Sequence, residues 1–218
     1  MKKRLIIAFA LLLLLSTYKP QKLFLINKFN VEEVIIENNI ILKDENIKKK
    51  LDFLYDENLI FLNIFFIKEK LKKIDFIESF EIKKIYPNKL KIKIYEKKAV
   101  AILQIKKKKF YISENIELIN YINLENYRDL PVVFGNKEEF KNLFYNLKKI
   151  NFPLEIISKY YLYEAERWDL ETNQKKIIKL PSKNYIKSLK NFMILRKDNN
   201  FEKYRIFDYR LNKQLILK

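Results

Sequence analysis

Between the turn Tyr86-Pro87-Asn88 and Glu96 the chain alternates without a break: Leu90, Ile92 and Ile94 are apolar, while Lys91 and Lys93 are charged. A period of two marks a strand with one dry face and one wet face. Such a strand needs a sheet to sit in, and its dry face needs a layer to cover it. The preceding residues supply both. Phe29 to Glu37 reads as a strand that Asn38-Asn39 ends. Asp44 is placed to cap a helix carrying Ile47, Leu51 and Leu54 on one face, and Asn63 to cap a second with Ile64, Ile67, Leu71 and Ile74 as its stripe. Ile77 to Ile85 is a strand with Phe80 and Ile82 inward. The expected order is strand, helix, helix, strand, strand. Two short helices cover one face of a three-stranded sheet, the lysine face is wet, and a sheet edge is left for pairing.

The rest of the chain reads as a second, larger unit. Val100 to Ile105 and Phe110 to Ser113 form a hairpin around Lys106 to Lys109, and Asp129 to Gly135 is a strand closing at the chain's single glycine. Lys137 to Ile150 is a helix with Phe140, Leu143, Phe144, Leu147 and Ile150 on one face. Tyr160 to Ala165 is a strand, and another starts in Glu166 to Leu170, where Trp168 is expected inward and Arg167 on the opposite face. Lys176 to Pro181 follows an Asn173-Gln174 turn, Tyr185 to Leu195 is a helix, and Leu215-Ile216-Leu217 forms a last strand. The fold class expected is α+β: a small β-α-α-β-β domain, then a mixed, mostly antiparallel β domain with two helices.

Composition removes several function classes. The chain of 218 residues has no cysteine and no histidine. Cys- or His-based metal sites and Ser-His or Cys-His catalysis are therefore excluded. Glu164, Glu166 and Asp169 lie close in sequence, but without histidine or a Gly-rich motif they are not read as a catalytic pair. No cofactor and no enzymatic activity are expected. The net charge of +18 suggests a polyanion partner. However, only six of the basic residues are Arg, and Lys is spread evenly among Ile, Asn, Phe and Tyr, the residues of A/T-rich codons. A solvated basic surface is the simpler reading. Nucleic acid is not expected as a partner, although anionic lipid would attract such a surface.

The N-terminus is not part of either unit. Lys2, Lys3 and Arg4 precede an apolar run from Leu5 to Leu15 that Ser16, Thr17 and Tyr18 extend. Positive charge before an apolar run predicts a cytoplasmic N-terminus and an exported body. The run has the length of a signal-peptide core, but no small-x-small cleavage pair follows it. As a retained anchor it falls short of the roughly 20 residues of a full span, so snorkelling lysines or local thinning would make up the difference. A retained anchor is expected, with a cytoplasmic stub at 1–4, a transmembrane segment at 5–18, the small domain at 27–96 and the β domain at 97–218.

The small module resembles a POTRA domain. Ile85-Tyr86-Pro87-Asn88-Lys89-Leu90-Lys91-Ile92 is similar to the R-x-Y-P-x-x-L-x-I hairpin of the bacterial cell-division family FtsQ/DivIB. Glu96-Lys97-Lys98-Ala99-Val100-Ala101 resembles its E-R-x-P-V-A junction, with Lys97 for Arg and Ala99 for Pro. Asp129 to Gly135, the Arg167-Trp168-Asp169-Leu170 hairpin and the stretch Tyr204 to Gln214 resemble three further family motifs in the same order. Many members of the family carry a longer cytoplasmic tail than the four residues that precede the apolar run here.

The resemblance implies a bitopic inner-membrane protein of the division septum, its bulk in the periplasm. It implies binding to the small coiled-coil division proteins FtsB and FtsL by strand addition at the C-terminal edge. The residues it assigns to that contact are Arg167, Tyr209, Arg210, Leu211, Lys213, Gln214, Leu215 and Leu217. The competing reading is a POTRA-bearing secretion or outer-membrane assembly factor. That reading needs several modules or a terminal barrel, and about 120 residues with two helices do not supply a barrel.

Overall fold

The computed structural model describes residues 2–17, 26–55, 57–198, 200–211 and 214–218. The chain divides into two compact units, 1–95 and 96–218.

In the first unit, helix α1 (Lys2–Thr17) covers the apolar run. Its Leu5, Ile6, Ile7, Phe9, Leu11, Leu12 and Leu13 are all half exposed or more. Among the described residues no helix is long and apolar enough to cross a membrane. The expected span at 5–18 is therefore not met by α1 itself, and Tyr18 lies outside the described residues.

Strands β1 (Glu33–Glu37), β2 (Ile77–Ile85) and β3 (Lys89–Glu96) form a sheet of order β1-β3-β2, with β1 parallel to β3. Helices α2 (Asp44–Lys50) and α3 (Ile64–Lys72) cover it. Leu90, Ile92 and Ile94 are fully buried in one cluster with Val34, Ile47, Leu51, Leu54, Ile67 and Leu71. The lysine face is wet but not idle. Lys89 pairs with Glu33 at 2.6 Å and Lys91 with Glu37 at 2.7 Å, tying β3 to its parallel neighbour. Such half-exposed pairs contribute at most about 1 kcal/mol each, so the buried face holds the sheet and the charges help fix its register. Asn63 caps α3 as expected, its side chain accepting the Phe65 N–H at 2.9 Å. Asp44 does not cap α2: it is the first helical residue, Lys43 occupies the cap, and Asp44 accepts a hydrogen bond from Asn39. The first strand also starts later than expected. Ile26–Phe29 is a 3₁₀ turn and β1 begins at Glu33.

In the second unit the described strands are β4 (Ala99–Ile105), β5 (Lys108–Ser113), β6 (Leu118–Asn120), β7 (Val132–Phe134), β8 (Ile157–Tyr163), β9 (Arg167–Thr172), β10 (Ile177–Lys179), β11 (Ile206–Asp208) and β12 (Ile216–Leu217). They form one sheet of order β12-β11-β10-β9-β8-β7-β4-β5-β6. It is mixed: β7 runs parallel to both β4 and β8, and β10 parallel to β11. Parallel neighbours need a crossover. Helix α4 (Lys137–Lys149) is the connection from β7 to β8, and α5 (Tyr185–Leu195) that from β10 to β11. Both lay their apolar stripes on one sheet face. There, Leu103, Val133, Tyr160, Leu170, Ile178 and Phe207 form a single cross-strand row from β4 to β11, and Leu217 of β12 ends it. Phe140, Leu143, Leu147, Leu189 and Phe192 cover that row. Trp168 lies in this core, its ring 6.5 Å from that of Phe140.

Gly135 follows β7. A Cβ there would stand 2.8 Å from Leu162 Cβ and 3.3 Å from the Trp168 ring. The residue is needed for space, not for an unusual φ. Gly135→Ala is expected to overpack this contact and destabilise the second unit by about 1–3 kcal/mol. Denaturant unfolding followed by the emission of Trp168, the chain's only tryptophan, reads the change in that unit.

Lys176 fixes the approach to the C-terminal strands. Its buried ammonium donates to the Phe201 and Tyr204 carbonyls at 3.3 and 3.0 Å and pairs with Glu202 at 3.1 Å. The β9–β10 turn thereby holds the loop that delivers β11.

Candidate partner-binding edge

The C-terminal edge is built from β9, β10, β11 and β12. β11 is centred on Phe207, whose ring completes a triangle with those of Phe192 and Phe201, the three centres 5.0–5.6 Å apart. With Phe207 inward, Asp208 faces the uncovered side of the sheet. β12 then pairs antiparallel with β11, Leu217 opposite Phe207 and Ile216 opposite Asp208. Ile206 and Lys218 exchange both main-chain hydrogen bonds, at 2.9 and 3.1 Å. In an antiparallel ladder the next pair, Phe207 and Leu217, is therefore a wide pair, and the Leu217 N–H and C=O turn away from β11. β12 ends the sheet, so those groups face outward along an open edge.

The uncovered face beside that edge carries a compact charge cluster. Register places Asp169, Lys179 and Asp208 side by side on β9, β10 and β11. Arg210 chelates Asp208: its Nε donates to both carboxylate oxygens at 2.8 and 3.0 Å, its Nη2 donates to Oδ2 at 2.5 Å, and its backbone N–H adds a fourth bond at 3.1 Å. Those hydrogen bonds hold the Asp208 carboxyl below the usual carboxylate range. Asp169 differs. Burial pushes its carboxyl up, against the pull of Arg167, Lys179 and Arg210. Arg167 Nε stands 3.7 Å from Asp169 Oδ1, an ion pair too long for a hydrogen bond. Among the described residues, these two buried atoms lack a hydrogen-bond partner. The Arg167 guanidinium lies over the Tyr163 ring at 4.5 Å, and next to it Tyr161 stacks on Phe134 with ring centres 5.0 Å apart. The uncovered face thus offers two guanidinium groups, with exposed aromatic rims on β8 and β7, four and five strands in from the β12 edge. It suits a peptide carrying acceptors and apolar side chains.

The residues expected at a partner contact fall in different places. Arg167 and Arg210 come together around Asp169 on the uncovered face. Leu211 and Gln214 are exposed in the turn between β11 and β12. Leu215 and Leu217 are half-buried at the rim of the core. Lys213 lies outside the described residues. Tyr209 departs from the surface role: it is 8% exposed, and its hydroxyl donates to Asn191 Oδ1 at 3.0 Å on α5. It supports the edge from inside. Lys179, Tyr163 and Phe134 join the surface without having been singled out. Lys179 follows the inward Ile178 by one residue, so strand alternation alone places it outward. Glu164 and Glu166 are exposed in the β8–β9 turn.

Comparison with known proteins agrees with this architecture. The family model for the FtsQ-type POTRA domain matches residues 29–97. The cell division protein FtsQ of Rickettsia bellii is 30% identical over 195 residues, covering 87% of this chain and 73% of that protein. FtsQ of Rickettsia conorii is 28% identical over 198 residues, with the same shares covered. The cell division protein DivIB of Clostridium tetani is 34% identical over 87 residues, or 40% of this chain and 32% of its own length. A POTRA module followed by a strand-rich second unit, with kinship running through both, settles the descent: this chain belongs to the FtsQ/DivIB family of bacterial cell-division proteins.

Proposed function

We propose that the chain is a non-enzymatic, single-pass protein of the inner membrane that acts at the division septum and links partner division proteins there through its C-terminal edge. The observation that carries this reading is the open β12 edge, with the Leu217 main chain turned outward beside the Arg167–Arg210 surface. A partner segment pairs with β12, so that main-chain hydrogen bonds supply affinity and the side chains around Arg167 and Arg210 supply register. The partners are coiled-coil bitopic division proteins of the FtsB/FtsL type. Small-molecule substrates, cofactors and nucleic acid play no part.

The anchor is α1. A helix apolar on all sides needs an apolar surrounding, and the seven large residues that α1 exposes find none in the described chain. Its apolar part, Leu5 to Thr17, is about 20 Å long, roughly 10 Å short of a typical ~30 Å hydrocarbon core, so snorkelling of Lys2, Lys3 and Arg4 and local thinning of the bilayer together make up the difference. The N-terminus lies in the cytoplasm and both compact units in the periplasm. The kinship with division proteins supports this reading over an outer-membrane assembly factor.

A fluorescent protein fused to the N-terminus, imaged in dividing cells alongside a blot against the C-terminus, tests the proposal. A full-length product concentrated at mid-cell is the expected outcome. Uniform envelope signal at full length would remove the division role, and a tag released from the body would remove the anchor.

A further inference from the structure

The first unit carries a second apolar surface that its core does not use. Ile60, Phe61, Phe65 and Phe66 are 46%, 77%, 61% and 60% exposed, while their chain neighbours Leu59, Leu62 and Ile67 are buried. Four large apolar side chains within seven residues are thus turned out together. They are held there by dedicated contacts. The Ile60 N–H donates to Asn58 Oδ1 at 3.0 Å, and the Phe65 N–H to Asn63 Oδ1 at 2.9 Å. Lys84 Nζ, on β2, donates to the Ile60 and Leu62 carbonyls at 3.3 and 3.1 Å. The Phe65 and Phe66 rings meet edge to face, their centres 6.1 Å apart.

The patch also has a defined address. The Leu59 N–H donates to the Phe29 carbonyl at 2.7 Å, the Val31 N–H donates to the Glu57 carbonyl at 3.0 Å, and Asn30 bridges Asn58. The loop therefore springs from the strip where the chain arrives from α1. Thr17 and Ile26 are nine residues apart, a reach of at most about 32 Å whatever the path. Residues 57–73 carry four lysines against two glutamates, and Glu69 is already paired with Lys72 at 3.4 Å.

We infer that Ile60, Phe61, Phe65 and Phe66 dock the first unit onto the headgroup region of an anionic bilayer, the same bilayer that holds α1. The inference rests on the proposed membrane placement of α1. Phenylalanine side chains enter the boundary between headgroups and acyl chains, and the surrounding lysines meet anionic lipid. The tether keeps the patch within reach of that surface, so docking is an intramolecular event at high effective concentration.

The chain contains no cysteine, so Phe61→Cys and Lys43→Cys each give one thiol for an environment-sensitive fluorophore. The full chain is reconstituted into vesicles of phosphatidylcholine alone or with one quarter phosphatidylglycerol, and quenching by nitroxide-labelled lipid is measured. The probe at 61 is expected to shift to the blue and to be quenched at least threefold more than the probe at 43, more so with the anionic lipid. Adding Phe65→Ser and Phe66→Ser is expected to release it. A chain that stays with the vesicles through an alkaline wash while the probe at 61 remains water-exposed overturns this inference and leaves the anchor standing. A chain that washes off overturns both. A probe that turns apolar only when partner proteins are added overturns the lipid assignment and gives the patch to a protein.

Discussion

A chain ending at Gln214, without Leu215–Lys218, is expected to lose affinity for the FtsB/FtsL-type partner by at least about 100-fold. Each main-chain hydrogen bond along an added strand contributes about 1 kcal/mol net, and two or three of them account for that factor. The cut is placed to spare the rest of the edge. Asp208 and Arg210 keep their chelate, and Tyr209 keeps its bond to Asn191. A sharper version is Leu217→Pro. Proline removes the outward N–H, while the bonds joining Arg205, Ile206 and Lys218 do not use the Leu217 amide. That substitution is expected to weaken binding by about tenfold or more. Calorimetric titration of the full-length protein in detergent against the partner's extracytoplasmic segment reads both values, and Trp168 emission checks the fold. Undiminished affinity in the truncated chain would take β12 out of the mechanism.

The largest loss of stability is expected from Phe207→Ala. The side chain is 1% exposed and lies 5.1 and 5.0 Å, centre to centre, from the rings of Phe192 and Phe201. Removing it opens a cavity bounded by α5 and by the loop that Lys176 anchors, and neither can collapse without breaking other contacts. A cost of about 3–5 kcal/mol follows. Because β11 lies between β10 and β12, the damage reaches the edge as well. Amide exchange should rise through β10, β11 and β12 while the protected amides of β3 in the first unit hold their rates. Equal loss of protection in β3 would mean that the two units do not unfold separately.

The fold was legible wherever one period ran long enough. Leu90, Ile92 and Ile94 define β3 because each is buried and each is two residues from the next. The stripe Phe140, Leu143, Phe144 and Leu147 sets α4 for the same reason at helical spacing, and α5 begins and ends where its pattern does. Short elements were harder. β7 is three residues long and carries no alternation of its own, and β8 starts at Ile157 rather than Tyr160 because its first turns of pattern are mixed. Parallel pairing left no local mark at all: β7 lies between β4 and β8 because α4 returns the chain, which no spacing records. The role of Gly135 was hidden likewise, since Leu162 and Trp168 reach it from later strands. At the edge, Arg167 opposite Trp168 followed from alternation. Tyr209 could have been placed by the same rule, because it stands two residues after the inward Phe207, but the family resemblance assigned it to the partner contact.

β12 is only two residues long, Ile216 and Leu217, and Lys218 follows it. An edge that short gives a second copy of the chain little to grip. Two molecules meeting edge to edge through β12 would share only a few hydrogen bonds, with lysine against lysine, in a protein whose net charge of +18 already repels its own kind. Fibrous or domain-swapped association through this edge is therefore disfavoured even where many copies gather in one membrane zone. A heterologous segment escapes that penalty by bringing acidic or apolar side chains of its own. The brevity of the strand thus guards the open edge against homotypic aggregation and leaves it available to a partner with the right flanking contacts.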